Sequence, residues 1–245
     1  MTFDITRRQT LSLLGASLLT ACTRDGMPPP NDPQSSALPD NSQTNPQCLA
    51  RAQQTEGPYF VDEQLNRADI RNDPATGKTS EGVPLTLNFT VSNINGKGCD
   101  AIANAVIDIW HCDAAGVYSD VIDNNGLFNT KGVKFLRGLQ KTNASGQAQF
   151  TTIYPGWYQG RAVHIHFKIR WTDAANKAHS FTSQLYFDDA LSDTIFKNTP
   201  YNTSRPRDTR NAQDFIFRRG GQDLLLNLIQ DGSGYVANFS IGLSV

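Results

Sequence analysis

His164 and His166 stand one residue apart in the run Ile153–Phe167, IYPGWYQGRAVHIHF, which also holds Tyr154, Tyr158 and Arg161. Tyr118 lies upstream in DAAGVYSD. If Val163 to Ile169 is a β-strand, alternate side chains share a face and both imidazoles point the same way. Val163, Ile165, Phe167 and Ile169 then form the opposite, apolar face, which packs on a core. Two imidazoles on one strand face with phenols nearby are the ingredients of an iron site. A phenol ligates poorly until it loses its proton, at a free pKa of about 10, and a strong Lewis acid lowers that barrier. Phenolate is a hard anionic donor that favours ferric over ferrous iron, whereas thiolate-rich sets favour zinc or iron–sulfur clusters. A lone His-x-His pair more often marks a solvated strand face, here beside Lys168 and Arg170. Against that, half of the chain's four histidines fall in this run, the others being His111 and His179.

The elements that must position these groups are short strands. Leu85, Leu87, Phe89 and Val91 alternate with Thr86, Asn88 and Thr90, as in a half-buried strand. Asn95-Gly96-Lys97-Gly98 marks a turn. Ala105 to Trp110 is a nearly continuous apolar run, as in a strand inside a sandwich. Ala148 to Ile153, Val163 to Arg170, Phe181 to Phe187 and Tyr235 to Leu243 are further strands, and Asp189 to Lys197 and Gln222 to Gln230 are short helices. This pattern predicts an all-β fold, an antiparallel β-sandwich with long loops and a few short helices.

The 245 residues carry a formal net charge of −1, enough chain for one domain with a real core. That balance gives no electrostatic case for nucleic acid as a partner. Residues 1–21 read as an export signal: paired Arg7 and Arg8 precede an apolar run from Leu11 to Leu19 that is too short to span a membrane. TRRQTL resembles a twin-arginine signal, a route that suits a protein exported already folded around a metal. Leu19-Thr20-Ala21-Cys22 has the form of a lipoprotein processing box with Cys22 as the lipidated residue; the plainer reading is a signal peptide cut near Ala21. Residues 22–47, rich in Pro, Ser, Asn, Asp and Gln, are expected to be a disordered tether, and 48–245 the folded domain. The expected location is the periplasm or cell envelope, with membrane contact only through the anchor. Among Cys48, Cys99 and Cys112, one disulfide with one thiol left over is expected, all three pairings being open. No CxxC spacing supports a cysteine metal site.

Val106-Ile-Asp-Ile-Trp-His-Cys-Asp-Ala-Ala-Gly-Val-Tyr118-Ser, Phe135-Leu-Arg-Gly, Gly146-Gln-Ala-Gln-Phe and Pro155-Gly-Trp-Tyr158 through His166 together resemble the intradiol ring-cleavage dioxygenases, the catechol 1,2- and protocatechuate 3,4-dioxygenases among them. Thr55-Glu-Gly-Pro-Tyr-Phe60 and Ser183-Gln-Leu-Tyr-Phe187 match further segments, so the likeness runs from about Thr55 to Leu243. It implies a non-haem Fe(III) held by Tyr118, Tyr158, His164 and His166, with Tyr158 the axial tyrosinate that leaves when substrate binds. It implies that Arg161 stabilises negative charge on the substrate ring, that Gln184 stands beside it, and that Gly57, Pro58, Tyr59 and Trp157 line the substrate cavity. The implied reaction cleaves a catechol-type aromatic with O2 to a cis,cis-muconate. In the pattern Pro-Gly-x-Tyr it is Tyr158 that matches, which leaves Tyr154 to pack at a strand end. His111 is either a partner of a ligand or an uncommitted surface histidine. The segment between Tyr158 and His164 is short beside the cytoplasmic members, and a tether stands where catechol dioxygenases carry a helical dimerisation domain. A lower, more open cavity wall is expected, with substrate and oligomeric state left open. Two other readings compete: an envelope β-sandwich that binds aromatics or ferric iron without turnover, and a zinc or copper protein that uses the histidines alone.

Overall fold

Alternating apolar and polar residues build most of the strands in the computed structural model, which describes residues 49–95, 98–123, 125–201 and 206–244. The strands are β1 (Pro84–Asn95), β2 (Gly98–Ala101), β3 (Val106–Trp110), β4 (Arg137–Lys141), β5 (Gln147–Ile153), β6 (His164–Thr172), β7 (Ala178–Tyr186), β8 (Leu228–Asp231) and β9 (Gly234–Leu243), with a helix α1 (Asp189–Ile195) after β7. One sheet runs β2-β1-β9-β8 with β5 also on β1; the other runs β4-β3-β6-β7. Leu85, Leu87, Phe89 and Val91 of β1 and Ile165, Phe167 and Ile169 of β6 meet between the sheets, each at most 1% exposed. Phe89 sits at the centre, its ring 5.7 Å from Phe167, 6.0 Å from Phe150 and 5.6 Å from Phe239.

The sandwich is antiparallel except for one ladder, in which β1 and β9 run parallel from Leu85↔Tyr235 to Asn93↔Leu243. Parallel neighbours need a long crossover, and the chain between them supplies it. The outer face of the second sheet is covered rather than solvated. The segment before β1 crosses it, with Gln54 N–H donating to Thr182 O, Arg67 N–H donating to Leu139 O, and Leu139 N–H donating to Leu65 O. The expected helix over Gln222 to Gln230 is a 3-10 turn (Gly221–Leu224) followed by β8. Asp231-Gly232, with Gly232 at φ 57°, folds β8 back on β9, and so exposed an edge strand shows no alternation to read. β4 is equally illegible, because Arg137, opposite Trp110 on the covered outer face, is a buried cation.

Cys99 is disulfide-bonded and Cys112 is a free, buried thiol, which removes the two pairings that use Cys112. The expected signal (1–21), Cys22 and the tether (22–47) lie outside the described residues.

His111 is no surface histidine; it is fully buried. Its Nδ1–H donates to Cys112 O at 2.8 Å, which leaves Nε2 to accept from Thr152 Oγ1 at 2.7 Å. Thr152 lies on β5, so this bond ties the end of β3 in one sheet to the other sheet. Burial lowers the imidazole's pKa from 6.5 to about 4. A histidine depressed in the folded state supplies stability that is complete above pH 6.5 and is lost as pH falls toward 4. The span corresponds to about 3 kcal/mol. Urea unfolding at pH 7 and pH 4 should therefore show a smaller acid loss for His111→Gln than for the wild type; equal losses would refute the assignment.

Candidate metal centre

Register fixes which side chains share the covered face of the second sheet. Trp110 of β3 pairs with His166 of β6, which pairs with Gln184 of β7, and His164 pairs with Tyr186. Directly opposed residues of an antiparallel ladder project to the same side, so these five form one surface patch. The segment over that face buries His164 to 2% and His166 to 1% exposure. Trp110 stacks on the His166 ring at 5.0 Å and 7°. Gly57, with φ 74°, crosses above His166; a Cβ there would lie 3.2 Å from its Cε1.

His164 Nδ1–H donates to Ala162 O at 2.7 Å, which leaves the Nε2 lone pair turned into the site. Around it stand Tyr118 Oη at 3.4 Å, Tyr158 Oη at 3.2 Å and His166 Nε2 at 3.1 Å. His166 Nδ1 is buried without a hydrogen-bond partner, an uncommon cost that points to function. Burial holds both imidazoles well below their ordinary pKa, helped at His164 by the Arg161 charge and at His166 by its neighbour His164. Both are thus neutral donors at pH 7. Burial likewise raises the Tyr118 phenol well above 10 and Tyr158 to about 12, with Arg161 acting against the rise at Tyr158.

These donors fit one metal ion. Ligands roughly 2.1 Å from a common centre lie about 3.0 Å apart at right angles and about 3.4 Å apart at tetrahedral angles; the separations of the other three donors from His164 Nε2 are 3.1–3.4 Å. Among the described residues no group of three or more His, Cys, Asp or Glu side chains is arranged for a metal. Donors beyond the two histidines therefore have to be phenols. Ionising two phenols that burial keeps protonated calls for a highly charged cation, which fits iron in its ferric state better than a divalent ion.

Arg161 closes the site on one side. Its Nε–H donates to Asp214 Oδ2 at 2.9 Å, one terminal nitrogen to Gln184 Oε1 at 2.5 Å, and the other to Tyr158 Oη at 3.3 Å. Gln184 is itself held, its Nε2 donating to Thr55 O at 3.0 Å. On the other side a cavity of about 550 Å³ opens, walled by Tyr59, Val117, Phe128, Trp157 and Tyr158. Tyr59 stacks on Tyr118 at 4.6 Å and donates to Asp123 Oδ1 at 2.5 Å. Gln159 and Gly160, in the short segment before His164, are exposed.

Of the residues singled out in the sequence, Tyr118, Tyr158, Arg161, His164, His166 and Gln184 come together here. Tyr59 and Trp157 line the cavity, whereas Gly57 packs on His166 and Pro58 is exposed. Tyr154 points elsewhere, its hydroxyl 2.6 Å from Ser192 Oγ. Sequence reasoning missed Tyr186, Asp123 and Asp214. Tyr186 had a signal, since it stands two residues after Gln184 on one strand. Asp214 had none: it meets Arg161 from 53 residues downstream, beyond β6, β7 and α1, in a segment without strand periodicity.

Residues 55–213 match the family model described as dioxygenase. A chlorocatechol 1,2-dioxygenase of Pseudomonas putida is 28% identical over 151 residues, 54% of this chain and 52% of that protein. A catechol 1,2-dioxygenase of Acinetobacter lwoffii is 29% identical over 147 residues, 50% of this chain and 42% of that protein. The chain thus spans about half the length of these curated relatives. Among solved structures, an intradiol ring-cleavage dioxygenase from Tetranychus urticae matches with a TM-score of 0.67 at 28% identity, over 80% of this chain and 95% of that one. With the family model covering most of the described domain and its neighbours sharing the sandwich, the chain belongs to the intradiol ring-cleavage dioxygenase family.

Proposed function

We propose that this protein is a non-haem Fe(III) dioxygenase that cleaves a catechol-type ring between its two hydroxyl-bearing carbons, adding both atoms of O2 to give a cis,cis-muconate. The observation that carries the reading is the convergence of two phenol oxygens and His166 Nε2 on Nε2 of His164, both imidazoles being neutral, beside a cavity of about 550 Å³. Ferric iron held there by Tyr118, Tyr158, His164 and His166 would supply electron withdrawal from a bound catecholate, which would make the ring reactive toward O2. The rest is the work of the chain. Tyr118 is fully buried behind Tyr59, while Tyr158 forms part of the cavity wall. Tyr158 is therefore the residue that, held as a phenolate by the metal, would take a substrate proton and swing aside as a neutral phenol, and Tyr118 the one that stays. Arg161, already bonded to Tyr158 Oη, is placed to hold the negative charge of the Tyr158 phenolate before it is protonated, or that of the ring; a preorganised donor of this kind contributes about 3 kcal/mol. Tyr59 and Trp157 bound the space for the ring, and confining ring and oxygen there supplies proximity. The partners are then a small catechol-type molecule and O2.

Protein purified after iron-replete expression should be burgundy from tyrosinate-to-iron charge transfer. Tyr118→Phe and Tyr158→Phe should each shift or bleach the colour and lower catechol-dependent oxygen uptake by more than about 100-fold. A colourless, iron-free wild type would end this reading. Iron-loaded protein that consumes no oxygen with catechol, 4-methylcatechol, protocatechuate or hydroxyquinol would favour the non-catalytic binder.

The same reading places the enzyme outside the cytoplasm, in the periplasm or cell envelope, lipid-anchored at Cys22. Its support is the paired Arg7 and Arg8, the apolar run and the Leu19–Cys22 box. Cys22→Ser should move the protein from the membrane to the soluble fraction on cell fractionation; an unchanged distribution would refute the anchor.

A further inference from the structure

Asp214 is 1% exposed, and it sits in the segment after β7, remote in sequence from every candidate ligand. Its carboxylate accepts four hydrogen bonds. Oδ2 takes Arg161 Nε–H at 2.9 Å and Ala162 N–H at 2.8 Å; Oδ1 takes Ile216 N–H at 2.7 Å and Phe217 N–H at 3.2 Å. Two of these lead to the metal centre. With Nε held by Asp214 and one terminal nitrogen held by Gln184, the planar guanidinium can place its other nitrogen in only one direction, toward Tyr158 Oη and His164 Nε2. Ala162, fixed through its N–H, presents the carbonyl that receives His164 Nδ1–H. That bond selects the tautomer whose Nε2 faces the phenols.

We infer that Asp214 is a positioning residue that aims Arg161 at Tyr158 and holds Ala162 so that His164 keeps its ligating tautomer. The inference rests on the ferric reading of the site and adds to it an anionic anchor that touches neither metal nor substrate. The chemistry demands a carboxylate. All four partners are donors, so an amide at this position turns its NH2 toward one pair of N–H groups whichever way it is oriented. Asp214→Asn keeps the shape and breaks the pattern.

Three readouts separate positioning from mere support of the fold. In iron-loaded Asp214→Asn the tyrosinate charge-transfer band should move to longer wavelength, because Tyr158 loses the donor that lowers its electron energy. The kcat for catechol should fall at least about tenfold, with a smaller change in KM. Arg161→Lys, whose ammonium cannot reach Asp214, Gln184 and Tyr158 together, should shift the band the same way, and Asp214→Asn added to it should change little, since the two act as one unit. Iron-loaded Asp214→Asn with an unmoved band and wild-type kcat would overturn the inference. So would effects of the two variants that simply add. If Asp214→Asn does not fold, the metal-free wild type still decides. An NMR-resolved Arg161 Nε–H that is protected from exchange supports the anchor, and one that exchanges like a surface arginine overturns it. A wild type with neither colour nor turnover would instead defeat the ferric reading on which the inference rests.

Discussion

Two phenols and two imidazoles share one buried point, and without a cation that point is unfavourable. Burial disfavours every charged form of these groups: it depresses both histidines and lifts both tyrosines. The result is a set of neutral donors at 3.1–3.4 Å with one imidazole nitrogen, His166 Nδ1, left unpartnered. A multiply charged ion at the centre reverses the balance, because it repays desolvation of the phenolates with direct coordination. The surroundings can then be read as what holds four donors together in the meantime. Trp110 stacks on His166, Gly57 allows the chain to pass close above it, and Tyr59 covers Tyr118.

The centre carries one permanent cation, Arg161, and its placement follows from the same constraint. A guanidinium beside a metal would oppose metal binding by repulsion, so it has to be compensated at a distance. Asp214 does this from the far side of the guanidinium, 2.9 Å from Nε. The pair leaves the side facing Tyr158 positive, where negative charge develops, while the net charge of the pair stays zero. Gln184 fills the remaining direction with a neutral acceptor. A carboxylate in that position would compete with the phenolates for the cation; an amide cannot.

Legibility of this design in the sequence follows its physical periodicity. β1, β3, β6, β7 and β9 were readable because apolar residues alternate or run together where a strand buries one or both faces. His164 and His166 shared a face for the same reason. What could not be read locally is what lies above that face. Alternation alone assigned His164, His166, Lys168 and Arg170 to an exposed surface, and it took the crossing segment from Gln54 to Arg67 to bury the first two. The edge strand β8 and the short β4 escaped because their residues lack a buried apolar face. Tyr118 and Tyr158 entered through a resemblance of ordered motifs, since no spacing rule links a phenol 46 residues upstream to a histidine. Asp214 escaped altogether, being a single acidic residue in irregular chain with no pattern of its own.

The four donors are also divided by how firmly they are held. His164 and His166 stand on β6, an interior strand bonded on both sides by β3 and β7. Tyr118 lies on a loop braced at that point: Thr130 Oγ1 donates to Tyr118 O at 2.7 Å, and Arg137 Nε donates to Ser119 O at 3.0 Å. Tyr158 sits between Pro155 and Ala162 on a loop whose tip, Gln159 and Gly160, is exposed, and among the described residues its own carbonyl accepts the 3.3 Å turn bond from Arg161 N–H and no other backbone bond. Exposed turns with few backbone bonds open at low free energy, whereas interior strands open only with the whole domain. A ligand that must leave and return belongs on the first kind of element, and ligands that must keep the ion meanwhile belong on the second. On the proposed reading, the fold separates the phenol that has to exchange from the three donors that have to stay by where each is attached to the backbone.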